Sequence, residues 1–185
     1  MRNARLGASA LVVALALNLT IAARPALAAS AAEIDRNVDR ALADLYANDP
    51  DAKRLGDAAK AIIVFPSIVK AGFMFGAQYG EGAMRVKGKT VGYYNSVAAS
   101  YGLQAGVQVF GYILYFMTDA AVNYLANSGG FELGTGPSIA VLDAGAARAF
   151  TTTTVQSDMY AIFFDQKGLM AGLGIQGSKI SRIGK

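Results

Sequence analysis

The chain has 185 residues, of which 17 are basic and 13 acidic, so its formal net charge is +4. It contains no cysteine and no histidine, which excludes disulfides and thiolate metal sites and removes the usual general base. A chain of this length holds one domain with one sizeable core. Its 21 glycines exceed the usual share of about 7% and indicate turns and sheet rather than a helical bundle.

The start of the chain, residues 1–28, is predicted to be a signal peptide. Arg2 and Arg5 give a positive start, an apolar run follows, and the sequence to Ala28 fits the small-x-small cleavage pattern. An uncleaved anchor is the alternative. Loss of this leader also removes Arg24 and lowers the net charge from +4 to +1, so the overall charge is no argument for nucleic acid. We therefore expect an exported protein in the periplasm or associated with the outer membrane.

Residues 29–60 are predicted to form two acidic helices that pack on the rest of the domain. The first begins with a capping box at Ser30 and Glu33. The second begins at Asp49, a helix cap, followed by Pro50, a proline suited to the first helical position. We expect their apolar stripes to cover a sheet, although a regulatory or membrane-contacting arm is an alternative.

Residues 61–185 are predicted to form one glycine-rich β domain around the stretch Ala61–Gly82. Glycines occupy even positions there and face bulky or apolar residues at odd positions: Gly72, Gly76, Gly80 and Gly82 against Phe73, Phe75, Ala77 and Tyr79. On an extended strand the glycines share one face. Glycine in a strand is expected where the sheet bends hard or another segment approaches closely. The alternative is a small-residue packing stripe on a membrane helix.

The same alternation returns in Tyr101–Val109 and in Leu169–Ile175. We therefore predict an α+β fold with a strongly curved antiparallel sheet, or a barrel-like sheet, packed with the N-terminal helices and one short internal helix. The uncharged stretch Val97–Thr118 is predicted to be two buried strands with a bend at Gly111, and a membrane helix is its alternative.

Three local signals complete the predicted elements. A tight hairpin is predicted across Gly88 and Lys89, and a short helix capped by Thr118 and Asp119. Further short strands are predicted near the end of the chain, with a hairpin turn at Asp165–Gly168. The predicted strands are Phe131–Leu133, Ser138–Leu142, Arg148–Thr154, Tyr160–Phe164 and Leu169–Ile175.

Catalytic motifs are missing from the sequence, so we expect a protein that is not an enzyme. It has neither a Gly-x-Ser-x-Gly elbow nor a phosphate-binding loop. Ser96 and Ser100 are candidate hydroxyls, but no histidine is present to activate them. We expect no cofactor, no metal and no nucleic acid as a partner, and protein partners stay open.

A basic surface is the feature that we expect to carry function. Lysine and arginine near an anionic bilayer contribute about 1 kcal/mol each, and Tyr93 and Tyr94 are predicted to lie exposed beside them. The alternative for any single cation is a solvated surface. The candidate lipid-binding residues are Lys70, Arg85, Lys87, Lys89, Lys179 and Arg182.

Five ordered blocks of sequence resemble the SYLF lipid-binding domain, over about Ala58 to Ser178. The blocks are Val64–Gly72, the glycine ladder through Gly82, Tyr101–Gly106, Phe116–Asp119, and Lys167-Gly168-Leu169 with Gly172. The resemblance implies phospholipid binding. Eukaryotic members bind phosphoinositides through basic residues and an amphipathic N-terminal helix, some fungal members bind actin filaments, and bacterial members are typically exported envelope proteins.

The function predicted from the sequence is that of an exported envelope protein that docks reversibly on a phospholipid membrane surface. The acidic helices depart from the family pattern and argue against their lying on an anionic membrane. The headgroup stays open among phosphatidylglycerol, cardiolipin and phosphatidylethanolamine. The alternative is an integral outer-membrane β-barrel or a structural envelope protein, because such proteins share an export signal and glycine-aromatic strands.

Overall fold

The structure is a computed structural model that describes residues 28–128, 130–132, 136–142, 157–168 and 177–185, with the backbone alone at residues 73, 74, 100–105 and 131. The predicted signal peptide up to residue 27 lies outside the described residues. So do the predicted strands Arg148–Thr154 and Leu169–Ile175, and Leu133 of a third.

The described residues contain three helices, and each begins at its predicted cap. They are α1 (Ala31–Asn48), α2 (Pro50–Ala58) and α3 (Asp119–Asn127). The hydroxyl of Ser30 accepts a hydrogen bond from the amide of Glu33 at 3.2 Å, as expected for a helix cap. Asp49 caps α2 and Thr118 caps α3 in the same way. The predicted helices are therefore confirmed.

Within the part of the chain that the structure describes, six strands form one sheet around a central strand, β2. They are β1 (Ala61–Val86), β2 (Lys89–Phe116), β3 (Phe131–Glu132), β4 (Ile139–Leu142), β5 (Met159–Gly168) and β6 (Lys179–Ile183). Along one edge β2 pairs with β1, and along the other with β5 and β6, all antiparallel; β4 adds a parallel pair to β5. The strand pairs among the described residues do not close the sheet, so the structure supports a mixed α+β fold and leaves the barrel-like form unconfirmed.

The long hairpin of β1 and β2 turns at Lys87 and Gly88, one residue earlier than predicted. Both residues have positive φ, 51° and 78°, which a type I′ two-residue turn requires. β2 runs through Gly111 as one strand, so the predicted bend there does not divide it. The glycine ladder and the uncharged stretch both lie in strands, and the membrane-helix alternatives for them are therefore wrong.

The first strand folds back over itself. Gly82 lies against Val64, because a Cβ added to Gly82 would stand 2.9 Å from the carbonyl carbon of Val64. A straight strand would separate these residues by about 60 Å at ~3.3 Å per residue. Register irregularities after Phe65 and Phe73 supply the bends. The prediction that bare glycine faces permit strong curvature is thereby confirmed.

Two hydrophobic cores lie on opposite sides of the sheet. The inner core is aromatic: the rings of Phe65 and Tyr112 are 4.8 Å apart, and those of Tyr112 and Phe163 are 5.8 Å apart. The helix-side core places Val38 of α1 and Leu55 of α2 on the other face of the sheet. Both helices therefore cover the sheet, as their apolar stripes predict.

The predicted hairpin turn at Asp165–Gly168 is wrong. These residues continue β5 along β2, where the register slips between Val109 and Gly111 and leaves Asp165 and Gln166 without ladder partners. Asp165 has φ of 54° and Gly168 φ of 106°. Turn-forming residues here produce a bulge, because β2 offers a long edge for β5 to follow.

Candidate membrane-docking surface

The hairpin of β1 and β2 presents an apolar face that none of the helices in the described residues covers. We call it the outer hairpin face. Val107 is 57% exposed and Phe75 69%, and register partners such as Ala71 with Val107 and Tyr79 with Val97 join the two strands. Its described members are Val69, Ala71, Phe75, Ala77, Tyr79, Val97, Ala99 and Val107. Contiguous exposed apolar side chains mark interaction surfaces.

The outer hairpin face arises from the glycine alternation. Gly76, Gly80 and Gly82 point inward, where the strand folds over itself, so the bulky alternating residues point outward. Towards Val64 and Ala83 the same sheet surface is covered by α1. Beyond the end of the helices the apolar residues lie in solvent.

Lysines stand at both ends of the outer hairpin face. Lys167 of β5 lies opposite Val109 in the ladder, and Lys179 of β6 lies opposite Val97. Opposite residues share a face of the sheet, and both lysines are exposed. Glu132 of β3 lies opposite Lys179 on its other side, which reduces the positive potential at that end.

A cleft of about 400 Å³ opens at the margin of this face, between α1 and β1. Its wall combines apolar side chains with a few polar ones, including Ile34, Asn37, Pro66, Val69, Tyr79 and Glu81. Such a cleft is large enough to receive part of a small molecule or an apolar chain.

The six sequence-predicted cations do not meet in one patch. Lys87 and Lys89 are exposed at the hairpin tip, and the Arg182 guanidinium reaches the carbonyl of Val91 at 3.2 Å close by. Lys179 lies opposite Val97, eight residues beyond Lys89 in β2, which is about 26 Å along the strand at ~3.3 Å per residue. Their predicted role in lipid binding stays a prediction.

Lys70 and Arg85 have different surroundings. Lys70 lies opposite Gln108 on the inner side of the sheet and is half-buried. Arg85 donates to Asp35 at 3.2 Å and to Asp39 at 2.8 Å, and its side chain is only 12% exposed. Arg85 therefore ties the hairpin to α1 and offers little of its charge to solvent.

Asp35 is the centre of this tie between α1 and the hairpin. It accepts hydrogen bonds from the hydroxyls of Thr90 at 2.7 Å and Tyr93 at 2.8 Å. Burial alone would raise the pKa of Asp35, but these hydrogen bonds and the Arg85 charge outweigh it and lower the pKa. The prediction of exposed tyrosines is wrong for Tyr94, which is 6% exposed within the inner core; Tyr93 is half-buried against Asp35.

A second cleft, of about 360 Å³, lies between the helices and the hairpin tip. Asp39 and Asp57 line it together with Lys60 and Lys87, so the charges are of both signs. Burial, with the charge of Asp57, raises the pKa of Tyr46 to about 12 and keeps its phenol neutral.

Sequence reasoning missed Lys167 and the pair of Glu81 with Lys185. Lys167 stands in a predicted turn, and only its register opposite Val109 reveals its place beside the apolar face. Glu81 and Lys185 are 104 residues apart, yet the Lys185 ammonium is 3.1 Å from a Glu81 carboxylate oxygen. The alternation of residues in β5 could have indicated the position of Lys167, but no local pattern indicates the pair of Glu81 with Lys185.

The fold and surface define a class: a mixed α+β domain built on one long, folded hairpin with an uncovered apolar face. Of the helices in the described residues, none combines the length and apolar character that a bilayer crossing requires. Residues 97–183 match the model of the Ysc84 family, described as Las17-binding protein actin regulator, which is the SYLF family that the sequence motifs resemble. None of the curated proteins matches the chain.

The family match confirms the resemblance and places it later in the chain than the sequence motifs did. It begins within β2 at Val97 and includes α3, β5 and β6. The glycine ladder of β1 lies before the matched range. The β2 side of the outer hairpin face, from Val97 to Val107, lies inside it.

Proposed function

We propose that the protein is exported and binds phospholipid membranes of the cell envelope reversibly through the outer hairpin face. The observation that carries this proposal is the run of exposed apolar side chains, from Phe75 to Val107, with Lys167 and Lys179 at its ends. The match of residues 97–183 to the SYLF family supports a lipid-binding role or one related to actin regulation.

The size of the face fits reversible docking. Full burial of a valine or phenylalanine side chain contributes about 1.5–3 kcal/mol, and a lysine near an anionic bilayer about 1 kcal/mol. The favourable free energy from partial insertion of a few such side chains and from two lysines offsets the free-energy cost of the rotational and translational freedom that is lost on binding. The resulting affinity is moderate and falls with salt, since exposed charges are screened over ~8–10 Å.

The hairpin tip is the competing docking site, because Lys87 and Lys89 are exposed there. Asp35 and Asp39 of α1 stand beside this tip through their ion pairs with Arg85. Carboxylates at this position repel an anionic membrane. The outer hairpin face therefore fits a membrane better than the tip does.

Co-sedimentation with vesicles tests the proposal. We expect the protein to pellet with vesicles of phosphatidylglycerol and phosphatidylcholine, and less as salt rises. Val107→Asn is expected to lower the partition coefficient about fivefold, because an apolar side chain no longer enters the interface. Val141→Asn is the matched control, since Val141 is 52% exposed but lies on β4. Equal loss in both variants, or equal pelleting on anionic and neutral vesicles at any salt, would contradict the proposal.

Charge reversal separates the two docking sites. Lys167→Glu with Lys179→Glu is expected to weaken binding to anionic vesicles more than Lys87→Glu with Lys89→Glu, although both pairs change the net charge equally. If Lys87→Glu with Lys89→Glu weakens binding more, the docking site lies at the hairpin tip instead.

The family description names a protein partner, Las17, rather than a lipid. An exposed apolar face also fits a protein surface. Failure of the protein to pellet with vesicles of any composition would exclude a membrane as the partner of this face. If Val107→Asn also leaves the fold intact, Val107 is not needed for folding, and a protein surface would be left as the partner.

A further inference from the structure

Ala29 is held by two charged side chains from distant parts of the chain. Its backbone amide donates to Oε2 of Glu81 at 3.2 Å, and its carbonyl accepts from Nζ of Lys185 at 2.7 Å. Lys185 also donates to both carboxylate oxygens of Glu81, at 3.1 and 3.2 Å. The side chains of Lys185 and Glu81 are only 9% and 11% exposed.

A buried carboxylate is an unusual partner for one backbone amide at the start of the described chain. The helix cap of α1 needs only Ser30, which already accepts from Glu33. Tyr79 donates its hydroxyl to Oε1 of Glu81 at 2.9 Å, so Oε1 holds Tyr79 and Lys185 while Oε2 faces Ala29 and Lys185. An ammonium at the position of the Ala29 nitrogen would lie within hydrogen-bond distance of Oε2.

The sequence independently places a cleavage point at this residue. The small-x-small pattern ends at Ala28, so Ala29 would be the first residue after the leader is removed. We infer that cleavage between Ala28 and Ala29 creates an α-ammonium group that binds the Glu81 carboxylate beside Lys185 and so locks the processed chain end onto the domain. This inference depends on the proposed export but not on lipid binding.

The chemistry of this step is peptide hydrolysis by a processing protease. One water is consumed, the bond between the Ala28 carbonyl carbon and the Ala29 nitrogen breaks, and Ala28 leaves as a carboxylate. The Ala29 amine takes up a proton, because α-amino groups have a pKa of about 7.7–8.0. A single N–H donor then becomes an ammonium with three, and a charge-assisted hydrogen bond is roughly twice as strong as a neutral one.

The first test is the N-terminal sequence of the protein purified after expression of the whole chain in an exporting bacterium. We expect the processed protein to begin at Ala29. A start at any other residue would overturn the inference while leaving the export in place. A chain that keeps its leader would overturn the inference, and vesicle binding of the same preparation reports separately on the lipid-binding part.

The second test acylates the α-amine of the processed protein near pH 6.5, where lysines, with a pKa of about 10.4, stay protonated. We expect acylation to lower the folding equilibrium constant about tenfold in the wild type and less than about twofold in Glu81→Gln. Asp165→Asn, which removes an exposed carboxylate of β5, is the control and is expected to respond like the wild type.

If acylation lowers the folding equilibrium constant by the same factor in the wild type and in Glu81→Gln, the inference is overturned. If Glu81→Gln does not fold, the acylation rate of the wild type still decides. An ion-paired ammonium is expected to react at least about tenfold more slowly in the folded protein than in urea, and equal rates would contradict the salt bridge.

Discussion

The residues that shape this protein most are those with no side chain. Gly80 and Gly82 lie where β1 crosses its own first half, and a Cβ on Gly80 would stand 3.2 Å from the Cα of Ile68. Their absent side chains let the backbones approach, and the fold-over turns Ala77 and Tyr79 towards solvent. One run of glycines thus produces both the curvature and the exposed face.

Gly82→Ala is expected to lower the free energy of unfolding by about 1–3 kcal/mol, because the new methyl group meets the backbone carbonyl of Val64 and the ring of Phe65. Urea unfolding measures the change. Gly184→Ala is the control, since nothing lies within 4 Å of a Cβ at that position. If both variants were equally stable, the close crossing of the two halves of β1 would be wrong.

Local patterns predicted many single-residue roles correctly. The caps at Ser30, Asp49 and Thr118 depend on side chains within three residues of the amide they bind. The placement of Lys167 beside Val109 depends instead on strand register. Contacts that join residues far apart in sequence leave no local pattern, so the cations at the surface could not be sorted from the sequence.

Helix α1 joins the helix-side core to the hairpin of β1 and β2. Its apolar stripe contributes Val38 and Leu45 to the helix-side core, and its polar side holds the hairpin through Asp35. The capping box and the helical spacing predicted the helix, and its acidic character is explained in part by the ion pairs with Arg85. The same pairing removes Arg85 from the basic surface that the sequence predicted.

Asp35→Asn is expected to lower the free energy of unfolding by about 1 kcal/mol at pH 7, because a charged hydrogen-bond acceptor becomes neutral. The pKa of Asp35 is lowered in the folded state, so its charge stabilises the fold above the ordinary value of 3.8. This contribution is lost as the pH falls through the lowered pKa. Urea unfolding of both proteins from pH 7 to pH 3 measures the difference.

Asp44→Asn is the control for this pH dependence, since Asp44 is exposed on the same helix. We expect the difference between wild type and Asp35→Asn to shrink below pH 3.8, and that between wild type and Asp44→Asn to stay small throughout. A gap for Asp35→Asn that widened towards low pH would contradict the direction of the pKa shift.

The strands show where element-level prediction fails. Gly111 and Asp165–Gly168 have the composition of a bend and a turn, yet both lie inside strands. β2 is 28 residues long and gives its neighbours a continuous edge, so ladder hydrogen bonds along it override local turn preference. Strand lengths of this kind follow from pairing and could not be predicted from composition.

At the scale of the whole molecule, covered and uncovered surfaces are separated. The acidic helices cover one part of the sheet, and the outer hairpin face extends beyond them. In the proposed docking, the hairpin meets the membrane first and α1 stays in water. The sequence predicted the apolar alternation, but only the fold shows which part of it the helices leave open.

The most direct test is to measure which side of the protein enters the bilayer. The chain has no cysteine, so single cysteines at Val107, at Ala99 and at Ala43 of α1 each accept one environment-sensitive fluorophore. Ala99 and Ala43 are both exposed, which makes the labels comparable. Vesicles of phosphatidylglycerol with brominated acyl chains then quench only those labels that reach the hydrocarbon.

We predict a blue shift and quenching by brominated chains for labels at Val107 and Ala99, and no change for the label at Ala43. Labels on the outer hairpin face that stay in water while the protein is bound to vesicles, or a label on α1 that enters the bilayer instead, would contradict docking through the outer hairpin face.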